Sequence, residues 1–178
     1  MNTVFRQVEV RDVQAVRHVV WETWLATYGA VIPEHDIRDY FDEHYSLPAL
    51  TELFKKPDAT GYIAEVDDVV AGFVRTEYRR NENRFFISSL YVLPAYQGSG
   101  LGRKLLAIAE EKARRYGVEQ LWLAVMTDNT TALAWYAKLG FVFVDEEPFT
   151  IGGTRITHRI GYRTIPPEAA STADGKKE

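Results

Sequence analysis

Cysteine is missing from this chain altogether, which removes disulfides, thiolate metal sites and a cysteine nucleophile, and suits a reducing compartment. Histidine is scarce. His18, His35, His44 and His158 are scattered without an HExxH pairing, so no metal is expected. No apolar run is long enough to span a bilayer. The opening MNTVFRQVEVRD carries Arg6, Glu9 and Arg11 and no apolar stretch, so no signal peptide is expected. Positive charge is not in excess either: 21 Lys and Arg stand against 25 Asp and Glu, a net charge of -4. That balance argues against a general nucleic-acid or membrane-surface binder, and any polyanionic ligand must be met by locally placed groups. A cytoplasmic protein is the expectation, with neither nucleic acid nor membrane as partner.

What is present is enough apolar matter for one core: 46% of the 178 residues are hydrophobic and 13% aromatic. A single domain over residues 1–165 is expected. The tail PPEAASTADGKKE, residues 166–178, has no apolar residue beyond alanine and reads as disordered.

Within the domain, VFRQVEV reads as a strand. Asp12 is positioned to cap a helix to Tyr28, along which Val13, Val16, Val20, Trp24 and Thr27 recur at helical spacing. Pro33 suits the first turn of a second helix through DIRDYFDEHY, and Ser46 can cap a third containing Leu50, Leu53 and Phe54. GYIAEV and VVAGFVRTEY form a hairpin about Asp67 and Asp68, and FFISSLYVL runs as a strand to Pro94. Leu101, Leu105, Ile108, Ala109 and Ala113 mark a helix closed by Gly117. LWLAVM is a buried strand, NTTALAWYAKLG a last helix, and FVFVDEE and TRITHRIGYR are closing strands. Strand, helix, strand, helix over residues 84–140 implies one right-handed parallel crossover among hairpin-linked neighbours. The expected fold is α+β in three layers, with a mixed, mostly antiparallel central sheet and helices on both faces.

The stretch PAYQGSGLGRKLL asks what its glycines grip. Backbone N–H groups from Gly98 to Lys104 include several with no intrahelical acceptor, at the positive end of a helix dipole, and suit phosphate oxygens. A Walker A loop would end in Gly-Lys-Ser/Thr, but Arg103-Lys104-Leu105 follows here. The dinucleotide fingerprint G-x-G-x-x-G is also not matched by Gly98, Gly100 and Gly102.

The pattern Q-x-x-G-x-G, formed by Gln97, Gly100 and Gly102, follows a strand ending Leu90-Tyr91-Val92. Further on comes N-x-x-A-x-x-x-Y-x-K-x-G-F, formed by Asn129, Ala132, Tyr136, Lys138, Gly140 and Phe141. Together these resemble the GNAT family of N-acetyltransferases, most strongly over residues 73–144. The layout of the earlier helices is most similar to the polyamine and small-amine branch. The resemblance implies the GNAT acyl-CoA N-acyltransferase fold and acetyl-coenzyme A as cosubstrate. Its pyrophosphate would sit on Gly98, Ser99, Gly100, Leu101, Gly102, Arg103 and Lys104, its pantetheine arm beside Leu90, Tyr91 and Val92, with Gln97, Asn129 and Lys138 as further contacts. It also implies that a backbone N–H near Val92 polarises the thioester carbonyl and that Tyr136 protonates the departing thiolate, a role a phenol of pKa about 10 can fill. Taken alone, Tyr136 also reads as a core aromatic, Asn129 as a helix cap and Lys138 as a solvated helix residue.

An alkylamine acceptor of pKa about 10.4 must lose a proton, at about 4.6 kcal/mol at pH 7. Family members often carry a glutamate on the strand before the glycines, where this chain has Ser88 and Ser89. Glu77, Glu22 or water beside the serines are the candidates. Trp21, Trp24, Tyr28, Tyr40 and Tyr45, with Glu34, Asp36, Asp39, Asp42 and Glu43, offer aromatic and ionic contacts to a cationic amine, and equally a core and a solvated face. The expected activity is acetyl transfer to a primary amine of a small molecule such as a polyamine. The alternatives are a ribosomal-protein type amino-terminal acetyltransferase and a non-catalytic acyl-CoA sensing domain; a homodimer is left open.

Overall fold

The computed structural model describes residues 2–166. The expected disordered tail, apart from Pro166, lies outside the described residues. Strands β1 (Thr3–Gln7), β2 (Ala59–Val66), β3 (Val69–Arg79), β4 (Arg84–Val92), β5 (Gln120–Met126), β6 (Val142–Ile151) and β7 (Thr154–Thr164) form a single sheet in the order β1-β2-β3-β4-β5-β7-β6. Only β4 and β5 run parallel; every other pair is antiparallel. That is the mixed sheet the sequence implies. The parallel pair sits where helix α4 (Leu101–Arg115) carries the chain across.

Local chemistry accounts for the elements. Asp67 and Asp68 both take positive φ (46° and 67°), the conformation of a two-residue hairpin turn whose twist matches the strands it joins. Ser46 Oγ accepts from the Ala49 N–H at 3.3 Å and starts helix α3 (Leu47–Phe54). Asp12 behaves otherwise than expected. It stands at the start of helix α1 (Val13–Tyr28) but does not cap it. Its carboxylate is taken by Arg6 Nη1 and Nη2 at 2.6 and 2.8 Å and by the Glu9 N–H at 2.8 Å. Two charge-assisted contacts from β1 outcompete one backbone amide.

The sheet buries both faces. Under α4 and helix α5 (Thr130–Lys138) lie Val74, Phe85, Ile87, Leu105, Ala109 and Leu121. Under α1, helix α2 (Glu34–His44) and α3 lie Val16, Val19, Val20, Ile37, Ile63 and Phe73. Each of these side chains larger than alanine contributes about 1.5–3 kcal/mol by leaving water. Alternation along β3 and β4 therefore decides which residues meet which helices. Among the described residues, no helix is long and apolar enough to cross a membrane.

Candidate active site

The glycine turn begins where β4 ends. Gln97 Nε2 donates to the Val92 carbonyl at 3.0 Å, and Ser99 Oγ donates to the Tyr96 carbonyl at 2.5 Å. Those two bonds fold the loop onto itself. Gly98 and Gly100 have φ of 78° and 89°, which only glycine adopts without strain, and a Cβ on either would meet nothing within 4 Å. No protein acceptor among the described residues takes the N–H groups of residues 98–103, at the N-terminus of a fifteen-residue helix. Lys104 departs from the expectation. Its N–H closes the first helical turn on the Gly100 carbonyl at 3.2 Å, and its Nζ lies 5.5 Å from the centre of the Phe5 ring. Arg103 is exposed and makes no ion pair among the described residues, so a mobile cation stands beside the free amides. Leu101 is buried, and a Cβ on Gly102 would come within 3.4 Å of the Trp135 ring, where α4 meets α5.

Beside this turn the sheet opens. β4 and β5 pair at Phe85, Phe86 and Ile87 and no further, while β3 follows β4 to Val92. The β3–β4 register slips between Arg75 and Thr76, leaving Ser88 as the bulged residue. The Leu93 N–H bonds to Ala71 on β3 at 2.8 Å. Since successive strand residues turn their backbone groups to opposite sides, those of Val92 and Leu90 turn toward the gap. The Val92 carbonyl on that side is the one Gln97 occupies. Its N–H, and both groups of Leu90, are left for an added extended chain. Tyr91, on the α1 face, is half-buried, and desolvation raises its phenol well above 10.

Across the gap, Asn129 Oδ1 accepts from the Ala132 N–H at 3.1 Å, capping α5, while Nδ2 donates to the Tyr28 hydroxyl at 3.3 Å. Tyr136 is 7% exposed, with its ring edge-on to Trp135 and Phe141 at 4.8 and 5.2 Å. No hydrogen bond from another described side chain acts on its hydroxyl. Burial, and to a lesser degree the nearby Tyr28, push the phenol well above its ordinary value, so it keeps its proton. Lys138 is exposed on the last turn of α5.

The face under α1 and α2 gathers aromatics as expected. Trp24 stacks on Tyr40 at 5.3 Å and stands edge-on to Tyr28 at 5.5 Å; Tyr40 meets Phe149 at 5.6 Å. Of the acids, Asp39 and Glu43 are exposed on α2, and the other three are held elsewhere. Asp36 accepts from the Gly153 N–H and the Thr154 hydroxyl, each at 2.6 Å, tying α2 to the β6–β7 turn; Glu34 and Asp42 pair with Arg38 and Arg17. Trp21 packs on Phe41 at 5.0 Å, beneath Arg38. Of the candidate bases, Glu22 is exposed, 4.0 Å from His18, and Glu77 is 3.8 Å from Arg79. Ser88 and Ser89 have buried hydroxyls without partners. Sequence reasoning passed over His158. It stacks on Phe149 at 4.6 Å and pairs across strands with Met126 and Glu147, and burial holds its imidazole below 6.5, neutral at pH 7.

The features gathered here are a free amide row at the start of α4, a parallel pair that separates beyond Ile87, and a buried tyrosine on α5. The Acetyltransferase (GNAT) family model matches residues 14–141, and the chain belongs to that family of acyltransferases. It is 29% identical over 157 residues to an uncharacterized N-acetyltransferase in the pepI 3' region of Lactobacillus delbrueckii subsp. lactis, covering 85% of this chain and 91% of that one. It is 26% identical over 151 residues to a spermidine N(1)-acetyltransferase of Thermoplasma acidophilum, covering 83% and 92%. The fold superposes on the PaiA N-acetyltransferase of Thermoplasma acidophilum, solved in complex with coenzyme A, with a TM-score of 0.81 at 24% identity over 92% of this chain and 99% of that one.

Proposed function

We propose that this enzyme transfers the acetyl group of acetyl-coenzyme A to a primary amine of a small molecule. The observation that carries the reading is the row of unbonded N–H groups at residues 98–103, opening into space that no Cβ occupies. Fixed amide dipoles there suit a diphosphate, and the nearby Arg103 adds a single charge, which is how a protein of net charge -4 holds a polyanion. The gap between β4 and β5 takes the amide-bearing arm as an added strand along Leu90 and Val92.

In this reading the Val92 N–H polarises the thioester carbonyl. The acceptor nitrogen attacks that carbonyl, the carbon–sulfur bond breaks, the Tyr136 hydroxyl gives its proton to the departing sulfur, and the proton shed by the nitrogen as the amide forms restores the phenol. The raised pKa of Tyr136 supports a donor that stays protonated until a thiolate needs it. The ammonium of the acceptor gives up its proton to neutral His158, directly or through water at Ser88 and Ser89. Support for a polyamine as the acceptor comes from the spermidine acetyltransferase among the relatives and from the Trp24–Tyr40 stack. Glu34, Asp36 and Asp42 on α2 lend it none, being bound elsewhere.

Calorimetry with acetyl-coenzyme A, followed by thiol release over a panel of amines, tests the proposal. Binding with turnover on at least one primary amine is expected. Binding without turnover on any acceptor would return the reading to an acyl-CoA sensing domain, and no binding would remove the cradle.

A further inference from the structure

One cation on the acceptor face has nothing to hold. Arg75 on β3 lies directly across from Ser89 on β4, and cross-strand partners point to one face of a sheet. The next pair on that face, Phe73 and Tyr91, packs under the α1–α3 layer, and the bulge at Ser88 puts the Arg75–Ser89 pair at the mouth of the β4–β5 gap. Arg75 Nε is buried without a partner, and so is Ser89 Oγ.

Every other half-buried arginine of the described residues has a carboxylate beside it, although Arg163 Nε is also buried without a hydrogen bond. Arg6 pairs with Asp12 and Glu65, Arg17 with Asp42, Arg79 with Glu77, Arg84 with Glu82, Arg114 with Glu111 and Arg163 with Glu110. Arg75 alone among half-buried arginines of the described residues has no carboxylate. Arg75 is half-buried, with its Nε shut from water and unpartnered, which is unfavourable, and the planar fork of a guanidinium fits a carboxylate in two-point contact. The charged and titratable groups around it leave the place open. Glu77, next on the same face of β3, is drawn to Arg79 at 3.8 Å, and Tyr40 from α2 is a neutral phenol. Burial pushes that phenol up to about 12, and the Arg75 charge opposes the shift, so the guanidinium is within electrostatic reach of the aromatic wall. His158, on the far side of the gap, is neutral at pH 7.

We propose that Arg75 and Ser89 receive a carboxylate carried by the acceptor, which makes the substrate class an amino acid-like aminocarboxylate instead of a polyamine. This rests on the acetyl-transfer reading above and narrows its acceptor. A polyamine would set its cations against Arg75, whereas an aminocarboxylate pairs its anion there and leaves its amine toward the thioester.

The test compares amino acids with their decarboxylated amines, phenylalanine with phenethylamine and lysine with cadaverine, alongside spermidine, in the thiol-release assay. The acid of each pair should lead by about tenfold or more in kcat/KM, equal to ~1.4 kcal/mol. Arg75→Gln should abolish that lead through KM, and Arg75→Lys should restore part of it. A preference for spermidine or the amines, or a lead that survives Arg75→Gln, overturns the proposal. Thermal shift with the acids alone, without acetyl-coenzyme A, keeps the two readings apart. Acids that raise the Tm of the wild type but not of Arg75→Gln uphold the carboxylate site even if no acetyl is transferred. Turnover on amines with no such lead leaves the transfer reading standing and ends this one. If Arg75→Gln does not fold, the wild-type comparison of matched pairs decides alone, and no response to any acid in either assay counts against the site.

Discussion

Asn129 and Tyr28 join the two layers of the protein: the side-chain amide at the start of α5 donates to the phenol at the end of α1 at 3.3 Å, while its carbonyl oxygen caps α5. Asn129→Ala removes both bonds. Urea unfolding should show a loss of about 1 kcal/mol, the worth of a helix cap. A midpoint equal to wild type would mean that neither bond contributes.

Tyr136→Phe keeps the buried ring and removes one oxygen. Turnover should fall by about tenfold or more while the Kd for acetyl-coenzyme A stays within about twofold. Because burial raises this phenol, kcat should also show no alkaline decline near pH 10, where an ordinary tyrosine ionises. An unchanged kcat in the variant takes the hydroxyl out of the reaction.

Gly100→Val tests the cradle. At φ of 89° a β-branched residue is strained, and its side chain would stand in the open space over the free amides. Binding of acetyl-coenzyme A, read by calorimetry, should weaken by about tenfold or more, or ~1.4 kcal/mol. Affinity equal to wild type would show that the diphosphate lies elsewhere.

Acid should loosen the molecule at two named places. Asp12 is held below its ordinary 3.8 chiefly by the Arg6 guanidinium, and Asp36 by the Thr154 hydroxyl and the Gly153 N–H. A carboxylate whose folded pKa is depressed adds stability above the unfolded value and loses it as pH falls through the folded one. The Tm should therefore drop as pH falls below about 3.8, and Asp36→Asn should remove part of that dependence. A pH profile for Asp36→Asn superimposable on wild type would count against the hairpin tether.

Much of this was legible in the chain because its signals are local. Paired aspartates at 67 and 68, serine at 46 and glycine at 117 each fix one turn, and the structure has them there. The GNAT resemblance likewise rests on residues near one another in sequence. Asp12 misled because its partner, Arg6, is reached only after β1 folds back. His158 and Arg75 were invisible for the same reason: each is one polar residue on a strand, and its meaning comes from what faces it across the sheet. Glu34, Asp36 and Asp42 read as an acidic lining until their partners on α1, α2 and the β6–β7 turn are seen.

The bond from Gln97 to the Val92 carbonyl has a kinetic corollary. It sets the entrance of the glycine turn in shape from within the polypeptide, so little ordering entropy remains to be lost on capture. Coenzyme A should therefore associate at a rate governed by encounter and ionic strength, and Gln97→Ala should slow its arrival more than it hastens its departure.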